Sequence, residues 1–578
     1  ATAGGGVGAS IAVSLLTKDT HAWIGDATVD AQANSGSVQF LDGRDENGNT
    51  SSTEIQGIAV GALAVEDVFV LSVAGAAGAL AGVAGAINWQ SLDSDVTAEI
   101  LDGASINQAA DNATAANVDQ DVYTIAVNKI ASSGIAGALA GGVALGFGAG
   151  VDVGTVDNAV IARLGGDVSA RRDVRVASTS DREIYSVGAA GSIGAVGLAG
   201  GVSRWVINGN VDSAYTVQGV TGDALVGENS DGQSVSTAEA TGVSLDQSTS
   251  IDTGYSDSAN ASDSSSIAGI NAGTVLDGIG SFANAFTTIH VTETRAEINA
   301  GANISAGDDV EVEARERNDI YASGGAASLS VAGAGAGVSM LTISAPVIAS
   351  IGAGANVSAI NAVKVLAISD ESINVFGVAG AGTLIGGAAA FGQIRNDAVR
   401  TASILTGASI TDAASVQVLA DHRANFRARS GTGTIGGVVV GLSAADVSSG
   451  GTVEAAVVNA ALGSFDNQIG AVTIGATSTI ENDPNDGRSA HAIGVAGGVI
   501  AATGVSASTT VNPTVISAIG TGATVYSRGA VSGTSSTDVE ANAVATNFNA
   551  GVLTSGTGVA EAVLDPTVTA EVGSDAIV

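Results

Sequence analysis

The side chains that carry most enzyme chemistry are scarce here. Four histidines occur in 578 residues, His21, His290, His422 and His491, and none sits in an HxxH, HExxH or Ser–His–Asp arrangement. Each is expected at a surface or strand edge. There is no cysteine, which excludes disulfides, thiolate metal sites and cysteine nucleophiles. GxxxxGK(S/T) is absent, and GxGxxG-like strings carry no weight in so Gly-rich a chain. Oxygen ligands cluster twice, as Asp42, Asp45 and Asn47, and as Asp483, Asn485 and Asp486. That spacing suits a hard cation, so Ca2+ is the one cofactor to weigh. Ordinary turns want the same Asp, Asn and Gly, and neither stretch follows the EF-hand loop.

The composition restricts the scaffold that must position such residues. Gly is 81 of 578 residues, about twice its usual share, while aromatics are only 3% and apolar residues 45%. Ala, Val, Ile and Leu set among Gly, Ser, Thr, Asn and Asp suit thin β-structure better than helices. The net charge of −37 argues against nucleic acid and anionic membranes, which need a basic face. The uncharged run 68–89 reaches membrane-spanning length, and similar runs occur at 130–151, 187–202, 324–344 and 376–394. Their Gly and Ala content and their regular recurrence favour buried small-residue strands, with no membrane span.

One phrase recurs through the chain. It reads AEINAGANISAGDDVEVEA from Ala296, ASIGAGANVSAINAVKVLA from Ala349 and ASILTGASITDAASVQVLA from Ala402. Ile298, Ile351 and Ile404 are spaced 53 residues apart, as are Ile304, Val357 and Ile410, and Val310, Val363 and Val416. The series extends to Val457, Ile519 and Val572, and backwards through Val217, Leu164, Ile100 and Ile24. Ten anchors therefore define one continuous array over residues 1–578. Within a unit the anchors stand six residues apart with Gly, Asn and Asp between them, the pattern of short strands turning around a parallel β-helix. Next comes an alternating strand, Val310 to Ala314, with valines inward and glutamates outward. The fold class expected is all-β, a repetitive parallel β-helix or β-solenoid with a unit of about 53 residues. Two or three turns per unit would make a rod of roughly 110–160 Å.

The formula ASI-GAGA-xV-SAxxxV-xVxA, followed by a Gly/Ala/Ser-rich stretch, resembles the repeats of large bacterial extracellular adhesins, the filamentous-haemagglutinin-like and leukotoxin-like exoproteins. The resemblance is one of composition, period and strand phrase over nearly the whole chain. It implies a right-handed solenoid outside a bacterial cell, with no active site.

Departures from the period mark loops. A Ser/Asp-rich insertion spans 228–266, and polar stretches at 42–53 and 108–120 fill longer steps. Of the Asn-x-Ser/Thr triplets, Asn303 and Asn356 share one repeat position, which reads as a structural corner before glycosylation. The functional expectation is a non-enzymatic structural fibre or adhesin segment at the cell surface. Its partners would be copies of itself, through the Gly/Ala strands or the ends, or a host or neighbour-cell glycan or protein. A sheath, matrix or surface-layer polymer is the alternative, and a polysaccharide-acting β-helix enzyme is third. Such an enzyme needs one unique convergent site, which near-equal repeats do not build.

Overall fold

The computed structural model describes residues 4–44, 50–110, 112–207, 292–482 and 487–578, together with the strands Val226–Glu228 and Ser234–Ser236. Apart from a four-residue helix, Asn112–Ala115, the described elements are strands. Nearly all pair in parallel. No helix among the described residues is long and apolar enough to cross a membrane. The uncharged runs are strand instead: residues 68–89 fall in Thr50–Gly78 and Ala81–Ile100.

The repeated phrase stacks on itself. Ile298 pairs with Ile351, Ile351 with Ile404, and Ile404 with Val457, then Ile519 and Val572. A second row runs Ile304, Val357, Ile410, Leu462 and Val525, and a third runs Val310, Val363, Val416, Val472 and Val531. The nine anchors from Ile298 to Val416 are all buried. These rows line a three-sided head, where six-residue spacing puts one aliphatic on each face. The corner between the first two faces needs a left-handed backbone, supplied by Gly301, Gly354 and Gly407 with φ of +74°, +69° and +75°. Beside that corner the amide of Asn356 donates to Asn303 Oδ1 at 3.0 Å, and Asn303 to Asp167 Oδ1 at 2.7 Å. These two asparagines therefore form rungs of a side-chain ladder, as a structural corner requires.

Each 53-residue unit makes one turn, since Val310 lies directly beside Val363 and not two or three rungs away. The described residues contain nine rungs, so the stack stands about 43 Å tall rather than 110–160 Å. The rung above Leu164 is Ile298, and the expected anchor Val217 lies outside the described residues. The length of a turn goes sideways. Strands of 34 or 35 residues, such as Val310–Ile343 and Ala362–Asn396, run out from the head, double back near Val331 and Leu384, and return. Each half spans up to roughly 70 Å, so the molecule is a flat blade.

The blade thins toward its edge. Next to the head, Ile320, Leu341, Ile343, Ile373 and Ile394 form a second aliphatic core. Beyond it the two halves are separated by little more than Ala379, Ala381, Ala388 and Ala390 packed together. At the closest approach even alanine is too large: a β-carbon on Gly188, Gly324 or Gly377 would strike the carbonyl of Val202, Val338 or Phe391. The Gly/Ala runs thus cover their inward faces with the other half of the same turn. Outside the ladder, Val38–Arg44 pairs antiparallel with the following strand, and Phe40 packs near Tyr123, Ile125 and Val127.

Candidate functional site

Between the two aliphatic cores the interior turns polar. Counting inward positions by alternation from Val310 puts Glu316 and Asn318 inside, and the register stacks Asn128, Ser180, Glu316, Ser369, His422 and Ser478 into one column. Lys18 Nζ reaches Glu66 Oε1 at 3.0 Å, and Ser94 and Asn128 donate to the same carboxylate at 2.9 and 3.1 Å. Asn158 donates to Asn128 Oδ1 at 3.1 Å and accepts from Arg182 at 2.8 and 3.0 Å. Arg182 Nη1 stands 2.9 Å from Glu316 and 3.1 Å from Asn318 Oδ1. Both side chains of that ion pair are fully buried.

Higher in the stack, Arg400 Nη2 donates to Glu371 Oε1 at 2.6 Å, and Asn396 donates to Oε2. His422 Nε2 lies 3.4 Å from Glu371 Oε2, with Nδ1 3.3 Å from Ser478 Oγ. Burial raises the Glu371 pKa, but Arg400 and His422 outweigh it and hold the carboxyl at about 2. Burial, reinforced by Arg400, lowers His422 below its ordinary 6.5. His422 was expected at a surface or strand edge; it is instead fully enclosed. A third polar group surrounds Asp152, which accepts from Ser186 and from Trp205 Nε1 at 3.3 Å. Desolvation raises its pKa. Apart from Lys18, whose side chain is 38% exposed, these groups are buried and bond chiefly to one another, and a one-residue slip would strand a charge in an aliphatic core.

The outer face carries a different grouping. Tyr185 stacks on Tyr321 with centroids 5.1 Å apart, and Tyr321 meets Phe376 at 5.6 Å. The guanidinium groups of Arg427 and Arg429 lie 5.8 and 5.7 Å from the Phe376 centroid. Arg427 follows Asn374 and Tyr321 in register, and Arg429 follows Phe376.

Of the cation ligands read from the sequence, Asp42 lies in the antiparallel strand Val38–Arg44. Asp45, Asn47, Asp483, Asn485 and Asp486 lie outside the described residues, as does most of 228–266. Among the described residues, no three of His, Cys, Asp and Glu are grouped to hold a metal ion. Sequence reasoning missed the interior seam and the outer aromatic strip. Strict alternation carried past Ala314 was the available signal for the seam. For the strip it was the placing of Arg427 and Arg429, 53 residues on from Asn374 and Phe376. Comparison with family models, with characterised proteins and with solved structures finds no match to this chain.

Proposed function

We propose that this chain is a non-enzymatic structural segment of an extracellular bacterial fibre or adhesin, a right-handed solenoid of 53-residue turns that builds an extended rod for attachment. The observation that carries the reading is the parallel register that the long strands keep from rung to rung. It makes the molecule additive, because each turn offers the next a full-length edge of backbone donors and acceptors. Strand Gly5–Ile24 pairs along one edge with Ala81–Ile100, and Ala543–Leu564 along one edge with Ala490–Val511. The strong negative charge keeps such long β-edges soluble. The seam fits this role, since a rod under lateral load needs a register that does not slip.

A sheath, matrix or surface-layer polymer is favoured by one feature. The turning points of successive arms place Val143, Ala195, Val331, Leu384, Gly437, Val499 and Val552 along the blade edge, and the valines and the leucine among them are all more than half exposed. Such a ridge suits lateral contact between copies. Electron microscopy of the purified chain across a concentration series tests both readings. Blades joined end to end through the stack support the rod, and blades joined edge to edge support the polymer. Isolated particles at every concentration, with polysaccharide cleavage in the same preparation, would overturn both in favour of an enzyme.

A further inference from the structure

We infer that the outward face of the lower returning strands is a docking surface for the chain's own residues 275–289, which cover Trp89 and Val151. The observation behind this is a set of outward positions that are nonetheless buried. In Ala81–Ile100, Asn88 bonds to the Val70 carbonyl and Gln90 to Ser132, both across the interior. Trp89 stands between them and so faces outward, yet it is 5% exposed. One rung on, Val151 lies outward between Gly150 and Asp152 and is 8% exposed, and Val206 beside Thr155 is buried as well. Higher in the same wall, Val338 and Phe391 continue the Val151 column and are only half-buried. The strands packed on Ala81–Ile100 and Leu145–Asp157 are the neighbouring rungs and the facing half of the turn, which lie beside that face and behind it. On the opposite half of the blade, outward Ile125 is buried where a hairpin lies over it, with Phe40 in the place of a Gly61 β-carbon.

The place where the chain leaves and returns names the occupant. Ile207 is the register partner of Val156, and Thr292 Oγ1 donates to the Val156 carbonyl at 3.3 Å. Residues 208–291 therefore depart from and rejoin this wall at one point, in the same strand as Val151. Within them, Val275, Ile279, Phe282, Phe286 and Ile289 recur three or four residues apart, the spacing of one apolar stripe on a helix. Asp277 is the single charge in 275–289, whereas the Ser/Asp-rich 228–266 carries the acid and has no such stripe. Ile289 precedes Thr292 by three residues, so it stays within about 10 Å of that rung. Stripe and face are apolar surfaces of one chain, and laying one on the other removes both from water.

Thiol protection in the full chain tests this, since a chain without cysteine lets one introduced thiol report its own exposure. Val151→Cys should react with a maleimide about 100-fold more slowly than Ala444→Cys, which continues the same column in an upper rung. Adding Phe282→Asp and Phe286→Asp should speed the Val151→Cys reaction by about tenfold or more, because a carboxylate is not desolvated against an apolar face without loss. The milder pair Phe282→Ser and Phe286→Ser should act in the same direction, and in both backgrounds Trp89 emission should shift to the red. Ala444→Cys should change by no more than about twofold, as a distant site does. Val243→Asp with Leu245→Asp, in the acidic part, should leave Val151→Cys protected. Equal rates for Val151→Cys and Ala444→Cys would overturn the docking surface. Equal loss of protection from the Val243 and Leu245 pair would overturn residues 275–289 as its occupant. Protection that disappears on dilution would overturn it in favour of a second copy of the chain.

Discussion

The head and the arm of each turn share one register and one hydrogen-bond ladder, yet they are packed by opposite rules. The head is filled by large aliphatics, with Ile298, Ile304 and Val310 meeting at the centre of a three-sided coil. The arm is two strand halves pressed face to face, with Gly324, Ala326 and Ser328 opposite Gly337 and Gly335. In the head, removing atoms leaves a cavity; in the arm, adding one atom pushes the halves apart. Tight packing here comes from two solutions, one by side-chain volume and one by its absence. The polar seam stands where they meet, and it is the part of the interior least tolerant of a slip.

Substitutions sharpen the contrast. The largest effect is expected from Val357→Asp, which buries an unpaired carboxylate in the head and should cost about 4 kcal/mol or more in chemical denaturation. Next comes Arg400→Met in the seam, which leaves the buried Glu371 carboxylate without its guanidinium partner and should cost about 3–4 kcal/mol. Gly324→Val in the arm should cost about 1–3 kcal/mol through overpacking. The same exchange at Gly325, where a β-carbon meets nothing, should cost less; equal losses at both would show that the arm halves do not touch as described.

Acid should act on the seam first. Glu371 is held at about 2 against an ordinary 4.5, so its contribution is full above 4.5 and is lost as pH falls toward 2. His422 is held below 6.5, so acidification through 6.5 also favours the unfolded chain, which takes up the proton more readily. Asp152 has the opposite sign. Its pKa is raised above 3.8, so its contribution is full below 3.8 and fades as pH rises through the raised value. The smallest expected effect is therefore a gain: Asp152→Asn should raise the thermal midpoint at pH 7, with the gain shrinking toward pH 4. A loss at both pH values would show that the Ser186 and Trp205 hydrogen bonds need the carboxylate.

The head was legible because its information is local. Six-residue spacing of Ile298, Ile304 and Val310, with Gly301 at the left-handed corner, defines three faces within a dozen residues. The number of turns per unit was not legible, because nothing local distinguishes a Gly/Ala run that starts a new coil from one that doubles back across its own. That depends on Gly324 facing Val338, a contact between two chain segments with the same composition. The seam was hidden for another reason. Glu316, Asn318, Glu371 and His422 fall at inward positions by alternation, but their residue types read as outward until they are set beside Arg182 and Arg400, which reach them from other turns or from the facing wall. The cation ligands at Asp45 and Asp483 fall outside the described residues, and Asp42 belongs to a hairpin strand that the repeat phrase does not contain.

One turn per 53 residues is the central claim, and a cross-link tests it most directly. The chain has no cysteine, so two introduced thiols report without interference. Asn303 and Asn356 are exposed register partners, and parallel neighbours at about 4.8 Å lie within disulfide reach. The Asn303→Cys, Asn356→Cys double variant should oxidise completely to an intramolecular disulfide, while Asn303→Cys with Ser409→Cys, two rungs apart, should stay reduced. No disulfide in the first pair, or equal cross-linking in the second, would contradict the one-turn stack.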